Sequence, residues 1–157
     1  MARIGITGHA RLARGTAELV YDALTAELAR YAGDGLRGIT CLCDGADQIF
    51  ARAVIERGGE LAVVLPADDY RERLVDQDDF DRLLGKATHV SRMPFRSSDR
   101  RAFKAASEEV VRQSELLLAV WDGRPSRELG DTADVVGTAH SAGLPVVVLW
   151  PAGARRA

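Results

Sequence analysis

A run of six apolar residues at positions 116–121, LLLAVW, ends abruptly at Asp122. Six residues are too few for a typical helix, and a continuous apolar run is typical of a parallel strand that is buried on both faces. A polar loop follows, and beyond it Val135, Val136 and Ala139 recur at helical spacing. The stretch therefore predicts a strand, a loop and a helix in that order, which is the repeating unit of a parallel α/β sheet.

The same alternation runs along the rest of the chain. Further strands are predicted at residues 3–7, 38–43, 60–66, 88–93 and 145–150, with helical patterns between them. No repeat or low-complexity linker divides the 157 residues, a length that suits one domain. We predict a single Rossmann-like domain over residues 1–157, α/β and doubly wound. Its mostly parallel sheet should have about six or seven strands and helices on both faces, with the strands at 3–7 and 116–121 adjacent near the centre.

Polar residues at loop ends predict where helices begin. Thr16 is predicted to cap the first helix and Asp44 the second, with Asp47 three residues later as in a capping box. For Asp47 a second role remains open, because its loop follows the carboxyl end of a strand. Arg155 and Arg156 are predicted to lie in a frayed tail.

The loop after the strand at 116–121 is a candidate anion site. It ends in Gly130, Asp131 and Thr132, directly before the predicted helix. Unpaired backbone N–H groups and the positive end of the helix dipole favour anions at such a position. Thr132 adds a hydroxyl donor, and Asp134 is close enough in sequence to accept a hydroxyl of a sugar. An ordinary strand-to-helix turn, with glycine for tightness, is the alternative.

The ligand crevice of an open α/β sheet lies beyond the carboxyl ends of its strands, at the point where the strand order reverses. We expect phosphate on residues 130–132 and on the Gly8-His9 loop, with the sugar and base towards Asp47, Trp121 and Asp122. Neither GxGxxG nor GxxxxGK[ST] is present. A solvated His9 and a core Trp121 are the plainer alternatives. The predicted ligand-binding residues are Gly8, His9, Arg11, Gly45, Asp47, Trp121, Asp122, Gly123, Gly130, Asp131 and Thr132.

Charge and hydropathy narrow the classes of partner. The formal net charge is −2, so the chain lacks the excess of basic residues that drives nucleic-acid binding, and we expect no nucleic-acid partner. No apolar run reaches the roughly 18 residues of a membrane helix, so no membrane is expected. The chain enters a strand by Arg3 with no leader-like segment, which favours a cytoplasmic protein. Cys41 and Cys43 have no further thiol or paired histidine nearby, so we expect no metal site. We also expect no cofactor.

An apolar group in residues 74–84 suggests a partner surface. Leu74, Phe80, Leu83 and Leu84 form a larger apolar face than an isolated edge helix can hide. This pattern predicts a homodimer.

Four segments of the chain resemble the SLOG superfamily. They are RIGITGHARL, CDGADQIFARAVIERG, LAVVLPADDYRE and LLAVWDGRP…LGDTADVV, which together cover nearly the whole chain. Relatives in that superfamily include the LONELY GUY (LOG) phosphoribohydrolases, the lysine-decarboxylase-like proteins and DNA-processing protein A. The resemblance implies a Rossmann-like domain that binds a nucleotide or nucleotide-derived ligand, often as a homodimer.

The chain departs from the LOG enzymes at their catalytic motifs. Where they carry PGGxGTxxE, this chain has Gly130-Asp131-Thr132-Ala133-Asp134, so the glutamate is at best replaced by Asp134. Their arginine and lysine precede the fifth strand by about two turns, and the same register falls here on Ala106 and Ser107. Arg101 and Lys104 lie nearby but out of register. The pocket is therefore expected to be retained and the hydrolytic groups to be incomplete.

Three hypotheses about function follow. The first is non-catalytic, sensor-like binding of a nucleotide or nucleotide-derived ligand. The second is a phosphoribohydrolase that cleaves the N-glycosidic bond of nucleoside monophosphates, with Asp134 or Asp47 stabilising positive charge on the ribose. The third is a structural or interaction subunit whose pocket is empty. The incomplete motifs favour the first and argue against an enzyme.

Overall fold

The computed structural model describes residues 1–125 and 131–157. Within these residues, six strands form one wholly parallel sheet in the order β4-β3-β2-β1-β5-β6. The strands are β1 (Ala2–Gly8), β2 (Leu36–Thr40), β3 (Glu60–Leu65), β4 (His89–Arg92), β5 (Leu116–Val120) and β6 (Val146–Val148). The predicted Rossmann-like α/β fold is confirmed.

Five α-helices connect these strands in the described part of the chain. They are α1 (Thr16–Ala29), α2 (Ala46–Glu56), α3 (Gln77–Leu84), α4 (Arg100–Gln113) and α5 (Thr132–Ser141). Short 3-10 helices lie at Ala32–Asp34 and Tyr70–Arg73. No helix in the described residues is long and apolar enough to cross a membrane.

Strands β1 and β5 are neighbours at the centre of the sheet, as predicted. Ile4 is paired with Leu116 and Gly8 with Val120. From β1 the chain builds outwards through β2, β3 and β4 on one side, and then returns to place β5 and β6 on the other. The strand order therefore reverses between β1 and β5, so the loops that follow these two strands border the crevice.

The helices cover both faces of the sheet because strand side chains alternate between them. Leu118 packs in one apolar cluster with Leu24 of α1 and Phe50 of α2. Its neighbour Leu117 packs in the opposite cluster with Val110 of α4 and side chains of α5. Each of these side chains is almost fully buried, which contributes about 1.5–3 kcal/mol per large apolar residue. The uniform apolarity of β5 follows from this burial on two faces.

The second strand is shorter than the sequence predicts. It ends at Thr40, and Leu42 then adopts a positive φ of 54°. The backbone N–H of Leu42 donates a 2.9 Å hydrogen bond to the Thr40 hydroxyl, which closes a tight turn. A leucine is uncommon in this left-handed region, and such conformations occur most often at functional sites. Residues 41–43 therefore form a turn below the crevice rather than the end of a strand.

The predicted cap of α1 and the predicted frayed tail are both wrong, for one reason. Gly15 is the N-cap residue, with a positive φ of 83°, and Thr16 is buried as the first helical residue. The Thr16 hydroxyl accepts a 3.0 Å hydrogen bond from the backbone N–H of Arg155. Leu12 and Arg156 also form an antiparallel bridge. The C-terminal tail is therefore docked against the loop between β1 and α1.

The predicted cap of α2 is wrong as well. Gly45 is the N-cap residue, and no side chain caps this helix. The Asp44 carboxylate instead accepts hydrogen bonds of 2.9 and 3.0 Å from the backbone N–H groups of Val75 and Asp76. Asp44 thus ties the β2–α2 turn to the segment that leads into α3.

The apolar face that suggested a dimer is buried within the chain itself. Leu74, Phe80 and Leu83 lie in one apolar cluster with side chains of α2 and β3, and Leu84 packs against it half-buried. Their apolarity is therefore explained without a partner. The homodimer stays a prediction that rests on the SLOG resemblance.

Candidate functional site

A cavity of about 650 Å³ opens at the carboxyl edge of the sheet, between the loops that follow β1 and β5. Its size lies in the range of small-molecule sites. Residues of the β2–α2 turn, Pro66 after β3 and the cavity-facing sides of α4 and α5 also line it. Eight of the predicted ligand-binding residues line it, namely Gly8, His9, Arg11, Asp47, Trp121, Asp122, Asp131 and Thr132.

Gly8 and Gly45 have packing roles in this structure. A Cβ atom on Gly8 would lie 2.4 Å from the Cβ of Ala46 and 2.8 Å from that of Val120. Gly45 has a positive φ of 79°, and a Cβ there would lie 2.5 Å from the carbonyl oxygens of His9 and Ala10. Both glycines allow the β2–α2 turn to approach β1 closely, and Gly45 is not among the residues that line the cavity.

Two further predicted glycines do not contribute to the described cavity wall. Gly123 is exposed, has a positive φ of 83° and is not among the lining residues. Gly130 lies outside the described residues, and so does the phosphate contact predicted for it.

His9 joins the two central loops and is not simply solvated. Its side chain is buried, and Nε2 accepts a 3.2 Å hydrogen bond from the backbone N–H of Asp122. Nδ1 lies 3.5 Å from the hydroxyl of Thr132, and the ring packs edge-on against Trp150 with centroids 5.4 Å apart. One imidazole thus connects β1, β5, the start of α5 and the segment after β6.

The contacts of His9 favour a neutral ring with its proton on Nδ1. Burial, and then the positive charge of Arg156, lower the pKa of His9 from its ordinary value of 6.5, while Asp122 acts in the opposite direction. The Asp122 Oδ1 atom lies 3.4 Å from Nε2 and would favour a proton there. The backbone N–H at 3.2 Å already occupies that position, so we assign the proton to Nδ1.

Asp131 caps α5 with its own side chain, and does not turn towards solvent as its position beside a phosphate site would require. Its Oδ1 atom accepts a 2.9 Å hydrogen bond from the backbone N–H of Asp134. A carboxylate therefore already occupies part of the N-terminal end of this helix. A phosphate placed against the same N–H groups would meet a like charge.

Asp134 does not reach the cavity wall. Its carboxylate lies 3.4 Å from Lys104 Nζ, which also donates a 2.8 Å hydrogen bond to the Thr138 hydroxyl. These contacts join α4 to α5. The structure thus separates the two predicted catalytic carboxyls, because Asp47 lines the cavity and Asp134 does not.

Asp47 lies at the buried end of the cavity. It is 6% exposed, and its Oδ2 atom accepts a 3.3 Å hydrogen bond from the Thr40 hydroxyl. Burial raises its pKa to about 7, against the opposing effect of the backbone N–H groups of Cys43 and Cys41 and of the Thr40 hydroxyl. Burial also raises the pKa of Cys43 to about 12, so its thiol is neutral at physiological pH. A buried carboxyl with a shifted pKa in a cleft is a strong candidate for a functional group.

Three arginines that the sequence analysis did not select also line the cavity. Arg100 begins α4, Arg124 follows β5, and Arg156 comes from the docked tail. All three side chains are exposed, as is that of Arg11. Asp99 caps α4, as its side chain accepts from the backbone N–H of Ala102 at 3.0 Å. That cap is visible in the sequence and could have indicated where Arg100 lies.

Helix α4 contributes one wall of the cavity. The two positions on it that correspond to the arginine and lysine of the LOG enzymes carry no charge. Ala106 and Ser107 both line the cavity. Phe103 and Val110 lie on the same wall. Among the described residues, no group of three histidine, cysteine or carboxylate side chains is placed to hold a metal ion.

Comparison with protein-family models and with curated proteins gives no match. Among solved structures, DNA processing protein A from Streptococcus pneumoniae aligns with a TM-score of 0.72 at 13% identity, over 98% of this chain and 52% of that one. TM1055, a LOG-like protein, aligns with a TM-score of 0.62 at 18% identity, over 93% and 72% of the two chains. The chain therefore shares its fold with these two proteins.

A third structural match is a cofactor-binding protein. The molybdenum cofactor binding protein from Rippkaea orientalis aligns with a TM-score of 0.62 at 17% identity, over 96% of this chain and 77% of that one. The chain thus spans about half the length of the pneumococcal protein and about three quarters of the cofactor-binding protein. At these identities the SLOG likeness concerns the fold alone.

Proposed function

We propose that this protein binds a nucleotide or nucleotide-derived ligand in the cavity between β1 and β5, without hydrolysing it. The observation that carries the proposal is that one part of this cavity is lined by charged side chains and another part by apolar ones. The arginines that line it are exposed, whereas Asp47 and apolar side chains such as Ile6 in the same lining are buried, so we place the arginines at its mouth and Asp47 at its inner end. A nucleotide has the matching polarity, with phosphate at one end and a flat apolar ring at the other.

The arginines are the groups suited to the phosphate. A guanidinium presents its N–H donors in a fork that matches phosphate oxygens, and it stays charged at any physiological pH. Arg11 and Arg100 approach the cavity from opposite elements, the loop after β1 and the start of α4. Because Asp131 already caps α5, the phosphate belongs nearer to these arginines than to the end of that helix.

The Thr132 hydroxyl remains a donor for the ligand. With the His9 proton on Nδ1, the hydroxyl oxygen accepts from the ring, which leaves its own proton to donate elsewhere. Thr132 lines the cavity, so an anionic or carbonyl oxygen of the ligand would be its acceptor. Trp121 offers an adjacent ring surface, held by a 3.0 Å hydrogen bond from its Nε1 to the carbonyl oxygen of Arg124.

Two observations support binding without hydrolysis. Ala106 and Ser107 present no charge to the cavity where the LOG enzymes place theirs, and the Asp134 carboxylate pairs with Lys104 outside the lining. Hydrolysis needs groups that stabilise the transition state beyond the bound ligand. We therefore expect incubation with AMP to release no free base at enzymatic rates, as measured by chromatography.

One observation favours the hydrolase as a second candidate. Asp47 is buried in the cavity with a pKa raised to about 7, a value suited to a general acid or base. Base release from a nucleoside monophosphate that is lost in Asp47→Asn, with Asp134→Ala unaffected, would establish that candidate and contradict ours.

The names of the structural matches widen the set of ligands to be tested. One solved match is described as a single-stranded DNA binding protein from Helicobacter pylori and others as molybdenum cofactor proteins. A net charge of −2 argues against a nucleic-acid partner for this chain. A short single-stranded oligonucleotide is nevertheless the right competitor in binding experiments.

Calorimetry on a matched pair of arginine variants tests the proposal. Arg100 lines the cavity, whereas Arg101 follows it on the same helix and is not among the lining residues. With AMP, GMP and ADP-ribose as probes, Arg100→Gln should weaken binding by about one to two orders of magnitude, since a charge-assisted hydrogen bond contributes about 1.5–3 kcal/mol. Arg101→Gln should bind as the wild type does. Equal affinities in all three proteins, or no binding of any probe, would disprove the proposed site.

A further inference from the structure

We infer that Asp47 selects a ligand whose ring carries two adjacent N–H donors, the 2-amino-4-oxopyrimidine edge that guanine and pterins share. The inference rests on the proposed function and names the ring for which the same cavity is built. Two features carry it, which are the place of Asp47 in the cavity and the acceptor geometry of its carboxylate.

The place of Asp47 favours contact with a ring rather than with ribose. Its side chain is 6% exposed at the buried end of the cavity, while the arginines suited to phosphate are exposed at the mouth. In a nucleotide the ribose lies next to the phosphate, and the base is the far end. A ligand that fills the cavity from the mouth therefore brings its ring to Asp47.

The surroundings of Asp47 suit a flat ring. Ile6, Phe103 and Val110 line the same cavity and offer apolar surface. Tyr70 also lines it, with a pKa that burial raises well above its ordinary value, so the phenol stays neutral. Apolar walls with few polar groups are the usual means of holding an aromatic ligand, with the polar groups fixing its identity.

The carboxylate offers two oxygens side by side, and each has two lone pairs. Oδ2 accepts from the Thr40 hydroxyl at 3.3 Å, and the backbone N–H groups of Cys43 and Cys41 also favour the ionised carboxyl. These contacts use part of its capacity of four lone pairs, and the remainder is open to the ligand. The N1–H and the 2-amino group of guanine or a pterin match this pair. Adenine would instead bring its N1 lone pair against a negative oxygen, and such polar mismatches are rejected strongly in buried sites.

Because Asp47 is buried, the two N–H donors of the ring would stabilise its ionised carboxyl. An ionised carboxyl is costly in an apolar site unless it is hydrogen-bonded, and the raised pKa of Asp47 reflects that cost. The titratable groups around it are Cys41 and Cys43 of the β2–α2 turn and Tyr70 of the 3-10 helix, and the charge of Asp47 helps to raise the pKa of each. All three stay neutral between pH 5 and 8 because their pKa values are raised. His9 interacts instead with Arg156, Asp122 and Asp131.

A change of base preference tests the inference. Wild-type protein should bind GMP at least tenfold more tightly than AMP or IMP, because IMP lacks the 2-amino group. Asp47→Asn should reverse the order of GMP and XMP, since an amide donates to the 2-oxo group of xanthine and still accepts from N1–H. Asp44→Asn is the matched control, because Asp44 lies on the same turn but is not among the lining residues, and it should keep the wild-type order.

The affinity for neopterin monophosphate, compared with that for GMP, distinguishes a pterin ligand from a guanine nucleotide. Tighter binding than GMP would indicate a pterin ligand, and weaker binding a guanine nucleotide, and either result supports the inference. Wild-type affinity for guanosine, which has no phosphate to titrate, should also fall by about tenfold between pH 7.5 and 5.5, as Asp47 becomes protonated. That wild-type measurement and the GMP/IMP ratio do not depend on the folding of a variant.

The failures of the two proposals are distinguishable. If AMP, IMP and GMP bind the wild type equally, while Arg100→Gln still weakens all three, the inference about Asp47 is wrong and the proposed function stands. If folded Asp47→Asn keeps the wild-type ratio of GMP affinity to XMP affinity, the inference about Asp47 is likewise wrong and the proposed function stands. If no nucleotide or pterin phosphate binds at all, both are wrong.

Discussion

His9 accepts the backbone N–H of Asp122 through Nε2, at 3.2 Å, and this single bond joins the loops that follow the two central strands. The loops border the cavity from opposite sides of the point where the strand order reverses. Protonation of the imidazole would remove this bond, because a protonated Nε2 cannot accept.

We expect His9→Ala to destabilise the fold by about 1–3 kcal/mol, since it removes a buried side chain and leaves the half-buried N–H of Asp122 without its acceptor. The folded pKa of His9 lies below the unfolded value of 6.5, so its contribution is fully present above pH 6.5 and is lost as pH falls below it. The stability difference between wild type and variant, from urea denaturation, should shrink on acidification. A pH-independent difference for His9→Ala would contradict the lowered pKa of His9.

Asp47 should have the opposite linkage to pH. Its folded pKa of about 7 exceeds the ordinary 3.8, so the folded state is penalised progressively as pH rises from about 4 to 7. Asp47→Asn removes that penalty. Its stability relative to the wild type should therefore rise with pH across this window, by at most about 1.4 kcal/mol per pH unit. Chemical denaturation of wild type and Asp47→Asn at several pH values measures this. A flat difference would show that Asp47 titrates normally.

Asp131→Asn should strengthen the binding of nucleoside monophosphates several-fold. Asparagine caps a helix about as well as aspartate, so stability should change little, while a negative charge at the cavity wall is removed. Asp76→Asn makes the same change at the cap of α3 and should leave affinity unaltered. Calorimetry at low and moderate salt measures both. Weaker binding in Asp131→Asn would mean that the carboxylate itself contacts the ligand.

Thr132→Val should weaken ligand binding by one to two orders of magnitude, because a hydrogen bond to a charged group contributes about 1.5–3 kcal/mol. The matched control is Thr138→Val, which removes a hydroxyl from the same helix, where it contacts Lys104. Equal affinities of Thr132→Val and wild type would place the ligand away from the start of α5.

Much of the fold was predictable because it depends on short stretches of sequence. The apolar runs of β1 and β5 imply burial on two faces, and two-faced burial implies central positions in a parallel sheet. The cap of α4 at Asp99 follows from one local side-chain bond. The turn at Leu42 does not follow in this way, because nothing about a leucine indicates a positive φ.

The site was less predictable because its contacts join distant parts of the chain. The pairing of Lys104 with Asp134 depends on how α4 packs against α5, and it removes a predicted catalytic group from the cavity. Arg156 lines the cavity only because the tail docks on the loop after β1. Sequence periodicity carries no information on either contact, whereas the loops after β1, β2 and β5 could be placed at one edge from topology alone.

The docked tail links ligand binding to the β1–α1 loop and to the C-terminal segment. The backbone N–H of Ala13 donates to the carbonyl oxygen of Arg155, and that of Ala157 donates to the carbonyl oxygen of Arg11. A phosphate held between Arg11 and Arg156 would hold both segments in place at once. Ligand occupancy would then slow amide hydrogen exchange at Ala13 and Ala157, which makes these two amides reporters of a cavity that neither of them lines.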